Sequence, residues 1–221
     1  MSKMVVNREA LGEPTLKALV HRFIDPSMDA IGAHKRGHRY MRITGGMRGD
    51  LLVTSRRLQK PVVGFDVTIA ITPIAYLDWA VWLAAEDGDP TYQPSMANFL
   101  WRRSLRTPPD LPSAPRWSFH DSKTFTECGE ALQQAIEEQA VPILTMIDSR
   151  ADLLDAFADS KFRSRGRVLT TAERARAVLL IADGPSRELT QTLEAVEAAG
   201  GADFVRWARD RLNRAPALRT T

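Results

Sequence analysis

Between Pro14 and Ile31, Leu16, Leu19, Val20, Phe23 and Ile24 recur at three- and four-residue spacing. That period lays one apolar stripe along a helix. Pro14 suits a first turn, where its missing N–H costs nothing. Asp25-Pro26 predicts an interruption, because proline removes a donor and disfavours helix in the residue before it. A short second helical piece reaches Ile31.

The period then changes. His38 to Ile43 reads as a short mixed strand and Leu51 to Leu58 as a second. Gly45-Gly46-Met47-Arg48-Gly49-Asp50 between them reads as a hairpin loop, with glycines free to take positive φ. The clearest strand is Val62 to Ile71. There Val63, Phe65, Val67, Ile69 and Ile71 alternate with Gly64, Asp66, Thr68, Ala70 and Thr72, the period of a half-buried antiparallel strand. An apolar, aromatic segment over 73–90 ends in the acidic turn Glu86-Asp87-Gly88-Asp89-Pro90. The proline-rich stretch from Pro90 to Pro115 predicts a long excursion with a helix around Met96 to Leu105. Arg116 to His120 is a fourth strand, with Trp117 and Phe119 on one side.

From Phe125 onward the spacing is helical. Pro142 lies inside a helical pattern that runs to Ile147 and predicts a kink. Ser149-Arg-Ala-Asp152 predicts a cap, Lys161 to Arg167 an exposed basic connector, and Thr170-Thr-Ala-Glu173 a capping box. Asp183-Gly184-Pro185 and Gly200-Gly201 separate two last helices. Strands first and helices last predict an α+β protein: an antiparallel sheet of three to four strands packed by helices. Residues 1–160 form the α+β domain and 161–221 a C-terminal helical segment.

Composition narrows the class. The chain has 221 residues, 44% of them hydrophobic and 26% charged, which suits a globular core. No apolar run approaches the roughly 20 residues that span a bilayer, and MSKMVVNREALGEP lacks the apolar stretch of a secretory signal. Cys128 is the only cysteine, so no intramolecular disulfide or cysteine-based zinc site can form. A cytoplasmic protein without membrane association is the expectation.

The formal net charge is only +3, but its layout is uneven. From Gly32 to Lys60 there are eight Lys/Arg against one acid, Asp50; from Glu127 to Asp159 there are eight acids against one base, Arg150. Such blocks concern surfaces and partners. Lys35, Arg36, Arg39, Tyr40, Arg42, Arg56 and Arg57 are therefore the candidate partner-binding residues. An acidic protein surface, or the acidic block of a second copy, would complement them. A nucleic-acid backbone is the alternative, although no nucleic-acid-binding motif accompanies them. Charged residues on outer strands also serve simply to prevent sheet-to-sheet aggregation.

No GxSxG, P-loop, GxGxxG or HExxH motif is present. No catalytic residue, metal ligand or cofactor is assigned. His34 and His38 have a metal-compatible spacing, but Gly37 breaks a helix there and Lys35, Arg36 and Arg39 repel a cation. A second alternative is an enzyme with a non-standard site around His120, Asp121 and Cys128. The five tryptophans, at 79, 82, 101, 117 and 207, are core and interface anchors.

Over residues 14–158 the order of elements resembles DUF4304, a bacterial domain family of unknown function. The resemblance rests on Lys35 to Ile43, Leu51 to Leu58, Gly64 to Ile71 (GFDVTIAI), the Trp/Pro-rich insert, Val141 to Leu144 (VPIL) and Leu153 to Phe157 (LLDAF). It implies no catalytic residues. It implies a small domain that acts by binding, as immunity or regulatory proteins do.

Overall fold

A computed structural model describes residues 14–94, 98–111, 113–168 and 170–214. The N-terminal stretch read for a secretory signal, and Met96 of the expected helix, lie outside the described residues. The chain folds as an α+β protein on an open antiparallel sheet. Among the described residues, no helix is long and apolar enough to cross a membrane.

α1 (Leu16–Phe23) starts at Thr15, whose hydroxyl accepts from the Ala18 N–H at 3.1 Å. α2 (Asp25–Ala30) carries Pro26 in its first turn, so the interruption falls where the proline dictates. Three consecutive strands follow: β1 (His34–Arg36), β2 (Arg39–Thr44) and β3 (Met47–Arg56). The hairpin loop is shorter than the sequence suggested. Gly45 and Gly46 take φ of 52° and 76°, the positive values that a two-residue turn demands, so Met47 to Asp50 extend β3.

β4 (Val63–Pro73) is the hub. One edge pairs with β3 along ten positions, from Met47↔Pro73 to Arg56↔Gly64. After α3 (Ile74–Glu86), two short strands share the other edge: β5 (Trp101–Ser104) pairs with Thr68–Ile71 and β6 (Trp117–Phe119) with Val63–Phe65. β7 (Arg167–Val168) then pairs with β5. The sheet thus has more than the three to four strands expected. β1, β5 and β7 hold three, four and two residues, too few for a period of two to register. Trp101 in β5 and Leu105 just after it are four apart and imitate helical spacing; this segment is extended because β4 offers its free edge.

Alternation assigns the faces. Tyr40, Met47, Leu51, Val53, Phe65, Val67, Ile69, Ile71, Trp101, Trp117 and Phe119 all point to one side and are buried. Helices cover this side. α4 (Ser122–Ala135), capped by Asp121 accepting from the Thr124 N–H at 2.7 Å, brings Phe125 edge-on to Phe119 at 5.3 Å. Gly129 lets α1 approach: a Cβ there would lie 2.2 Å from the Phe23 ring. The kink expected at Pro142 is a π-helical turn, Ile136–Ala140, after which α5 (Val141–Met146) restarts with the proline in its first turn.

α6 (Arg150–Ala158) begins at Ser149 as the sequence indicated. The expected connector from Lys161 to Arg167 is instead α7 (Ser160–Ser164) and the start of β7, held by Phe162 stacking on Trp101 at 4.8 Å. α8 (Ala172–Leu180) is capped by Thr171, one residue later than the Thr170 box. α9 (Arg187–Ala198) and α10 (Ala202–Arg214) follow, with Phe204 against Trp79 of α3 at 5.4 Å. Buried residues from Leu19 to Ala208 form one continuous cluster.

Asp25 ties the first helices to the sheet. Its carboxylate accepts from Lys35 Nζ at 2.6 Å and from the Tyr40 hydroxyl, and lies 3.0 Å from His21 Nδ1. Burial opposes its ionisation, but these hydrogen bonds outweigh that and hold its pKa below the ordinary carboxylate value. A lowered folded pKa stabilises above the unfolded pKa and ceases to do so as pH falls through the folded one. Asp25→Asn is therefore expected to cost about 1–2 kcal/mol at pH 7 by urea denaturation. The difference from the parent should narrow as the pH is lowered from about 5 toward 2; a pH-independent difference contradicts this assignment.

Candidate functional site

Directly opposed residues of an antiparallel pair share a face. Arg36 opposes Arg39, Arg39 opposes Leu52, Met41 opposes Asp50 and Ile43 opposes Arg48. Thr54 opposes Asp66, Arg56 opposes Gly64, and Arg102 opposes both Ala70 and Arg167. All of these lie on the side away from the helical core just described. Arg36, Thr54, Arg56, Arg102, Ser104 and Arg167 are exposed there, and Ile43 shows 54% of its surface. This face carries six arginines against two carboxylates, Asp50 and Asp66.

The seven candidate residues are thus divided. Arg36, Arg39 and Arg56 belong to the open face. Lys35, Tyr40 and Arg42 belong to the packed side, and Arg57 follows the end of β3. Most of them are already engaged. Tyr40 is buried and gives its hydroxyl to Asp25, which raises its pKa after the larger effect of burial. Lys35 also bonds Asp25, with its ammonium 5.5 Å from the Tyr40 ring. Arg42 donates to the Ile31 carbonyl at 2.8 Å and to Asp148 at 2.6 Å, which fastens β2 to α2 and to the end of α5. Arg56 pairs with Asp66. Arg36 and Arg57 have no carboxylate partner among the described residues.

At the centre of the open face stands Asp50, 1% exposed. Arg39 Nε donates to one oxygen at 2.8 Å and Arg48 Nε to the other at 2.9 Å. Two cations around one buried carboxylate leave a net positive group in the middle of the face, held in one geometry. Arg48 and Asp50 were not among the sequence candidates. Their signal was the i, i+2 spacing on one strand face, hidden by the assumption that they lay in a loop. Removing the carboxylate leaves two guanidinium groups without a partner, the costly way to break such a cluster. Asp50→Ala is expected to lower stability by about 3–5 kcal/mol in urea denaturation; a loss under about 1 kcal/mol contradicts a structural role for this trio.

The alternative centre is partly assembled. His120 and Cys128 line one small cavity of about 240 Å³ between β6 and α4. Burial, however, pushes the Cys128 thiol up to about 12, so it is protonated and not an activated nucleophile. Asp121 is the exposed cap of α4, 3.4 Å from His120. Among the described residues, no group of three or more His, Cys, Asp or Glu could hold a metal ion. Comparison with known protein families, curated protein sequences and solved structures finds no match.

Proposed function

We propose that this is a non-catalytic cytoplasmic binding protein that docks an acidic protein surface on the open face of β1–β3. One observation carries the reading: six arginines and two carboxylates share a sheet face on which Arg36, Ile43, Arg56, Arg102 and Arg167 are exposed, while the large side chains of the opposite face are buried. The exposed Ile43 beside Arg48 supplies the apolar centre that a protein contact uses, and arginine is the cation enriched in such contacts. That favours a protein partner over the alternative.

The test uses residues that the fold does not need. Arg36→Glu, Ile43→Asp and Arg57→Glu together change exposed side chains only, whereas reversal of Arg39 or Arg42 would disturb Asp50 or Asp148. The partner is captured by cross-linking in the source cells, then purified and titrated against both proteins. The triple variant should melt like the parent and bind at least about tenfold more weakly, the loss of a few interfacial contacts. Nuclease treatment should leave capture intact. Unchanged affinity of the triple variant, or capture abolished by nuclease, overturns the reading.

A further inference from the structure

A second group of arginines lies on the packed side of the sheet, at the end of β5 beyond its pairing with β7. Arg103 of β5, Arg106 just beyond it and Arg165 after α7 line one cavity of about 450 Å³. Glu138 and Gln139, from the π-helical turn, and Phe162, from α7, complete that wall. Gln139 Oε1 accepts weakly from Arg103 Nη2 at 3.4 Å, while Arg103 Nε is buried with no hydrogen-bond partner. No carboxylate pairs with Arg103, Arg106 or Arg165 among the described residues. Glu138 accepts from Gln134 at 2.8 Å and is exposed at the cavity's rim.

The contrast with the other half-buried arginines is informative. Arg39, Arg42, Arg48, Arg150 and Arg211 each meet a carboxylate, Arg163 donates to the Phe157 carbonyl and Arg174 lies over the Trp79 ring. At Arg103 the fold instead adds two more cations. Burial, and then the neighbouring Arg165 and Arg106, pull the Arg103 pKa below its ordinary value. A half-buried guanidinium with two cationic neighbours and no counter-charge is unfavourable by itself, and an anionic ligand supplies what is missing.

We propose that this cavity binds a phosphate-monoester group carried on an apolar body, with Arg103, Arg106 and Arg165 as its ligating side chains. Three arginines against one glutamate leave the site at +2, which matches the roughly −1.5 to −2 charge of a phosphate monoester at neutral pH. Guanidinium forks suit its oxygens, and three forks exceed what one carboxylate can accept. Ile143 and Met146 line the cavity with Phe162, so the body rests on an apolar wall while the phosphate faces the arginines. The volume falls in the range of small-molecule sites. The Glu138 carboxylate at the rim disfavours a second anionic group, so a monoester is preferred to a polyphosphate. The π-helical turn has a role here: the extra residue in that turn sets Gln139 toward Arg103. This site is independent of the open face and of the partner proposed for it.

The test is calorimetric titration of the full chain at low salt with phenyl phosphate, inorganic phosphate and benzoate. Phenyl phosphate should bind at least about tenfold more tightly than either control, because only it offers both the dianion and a ring to bury. Arg106→Gln and Arg165→Gln, on exposed side chains that leave folding intact, should each weaken it about tenfold. Arg103→Met should abolish binding and leave the ligand-free melting temperature unchanged or higher, since it removes an unpaired, half-buried cation. Absence of binding at about 10 mM phenyl phosphate, equal affinity for benzoate, affinity unchanged in all three variants, or a destabilised ligand-free Arg103→Met protein each overturns the proposal.

Discussion

Five guanidinium groups and one ammonium crowd the first three strands, and carboxylates reach all of them but Arg36. Asp25 meets Lys35, Asp148 meets Arg42, Asp66 meets Arg56, and Asp50 stands between Arg39 and Arg48. Without such partners, like charges on adjacent strands would oppose the ladder. Three of the four acids lie on other elements: α2, the end of α5 and β4. Charge compensation therefore also fixes where those elements dock.

The same compensation shapes what the sheet can bind. Tyr40, Arg42 and Lys35 are occupied in holding α1, α2 and α5 in place, so they are not free for a partner. What remains on the open face is the Arg39–Asp50–Arg48 trio of one net positive charge and the Arg56–Asp66 pair, with Arg36, Ile43, Arg102 and Arg167 exposed around them. A surface with fixed internal ion pairs is preorganised, and a partner that meets it loses less conformational freedom on binding. At the end of β5 the rule is broken: three arginines converge with no acid to meet them. With the Arg103 Nε buried and without a hydrogen-bond partner, that cluster is best understood as a place for a ligand's charge.

Patterns that depend on neighbours in the chain were legible. The α+β class, the Asp25-Pro26 break, the period of two in β4, the β6 strand at Trp117 and Phe119, and the Ser149 cap all follow from local spacing. Patterns that depend on distant partners were not. β5 is a strand because β4 has a free edge for it, and Arg102-Arg103 alone carries no such information. Met47 to Asp50 resembled a loop because glycine at 45, 46 and 49 suggested one; only the tight turn at Gly45-Gly46 shows that Gly49 is in the strand, where Leu144 and Ile147 pack on it. The candidate residues were chosen by charge, and charge density says nothing about which acids fold back onto them. The arginine-bearing face of the sheet and the arginine cavity both emerge only when strands, the π-helical turn and α7 are brought together.

The central claim is that the basic block is largely satisfied inside the fold, leaving a defined minority of arginines free. Phenylglyoxal modification of the native protein, followed residue by residue by mass spectrometry, measures this directly. Arg36 and Arg57 should react well before Arg39, Arg42 and Arg48, which the carboxylates of Asp50 and Asp148 shield. Equal reaction rates across these five arginines would contradict the claim.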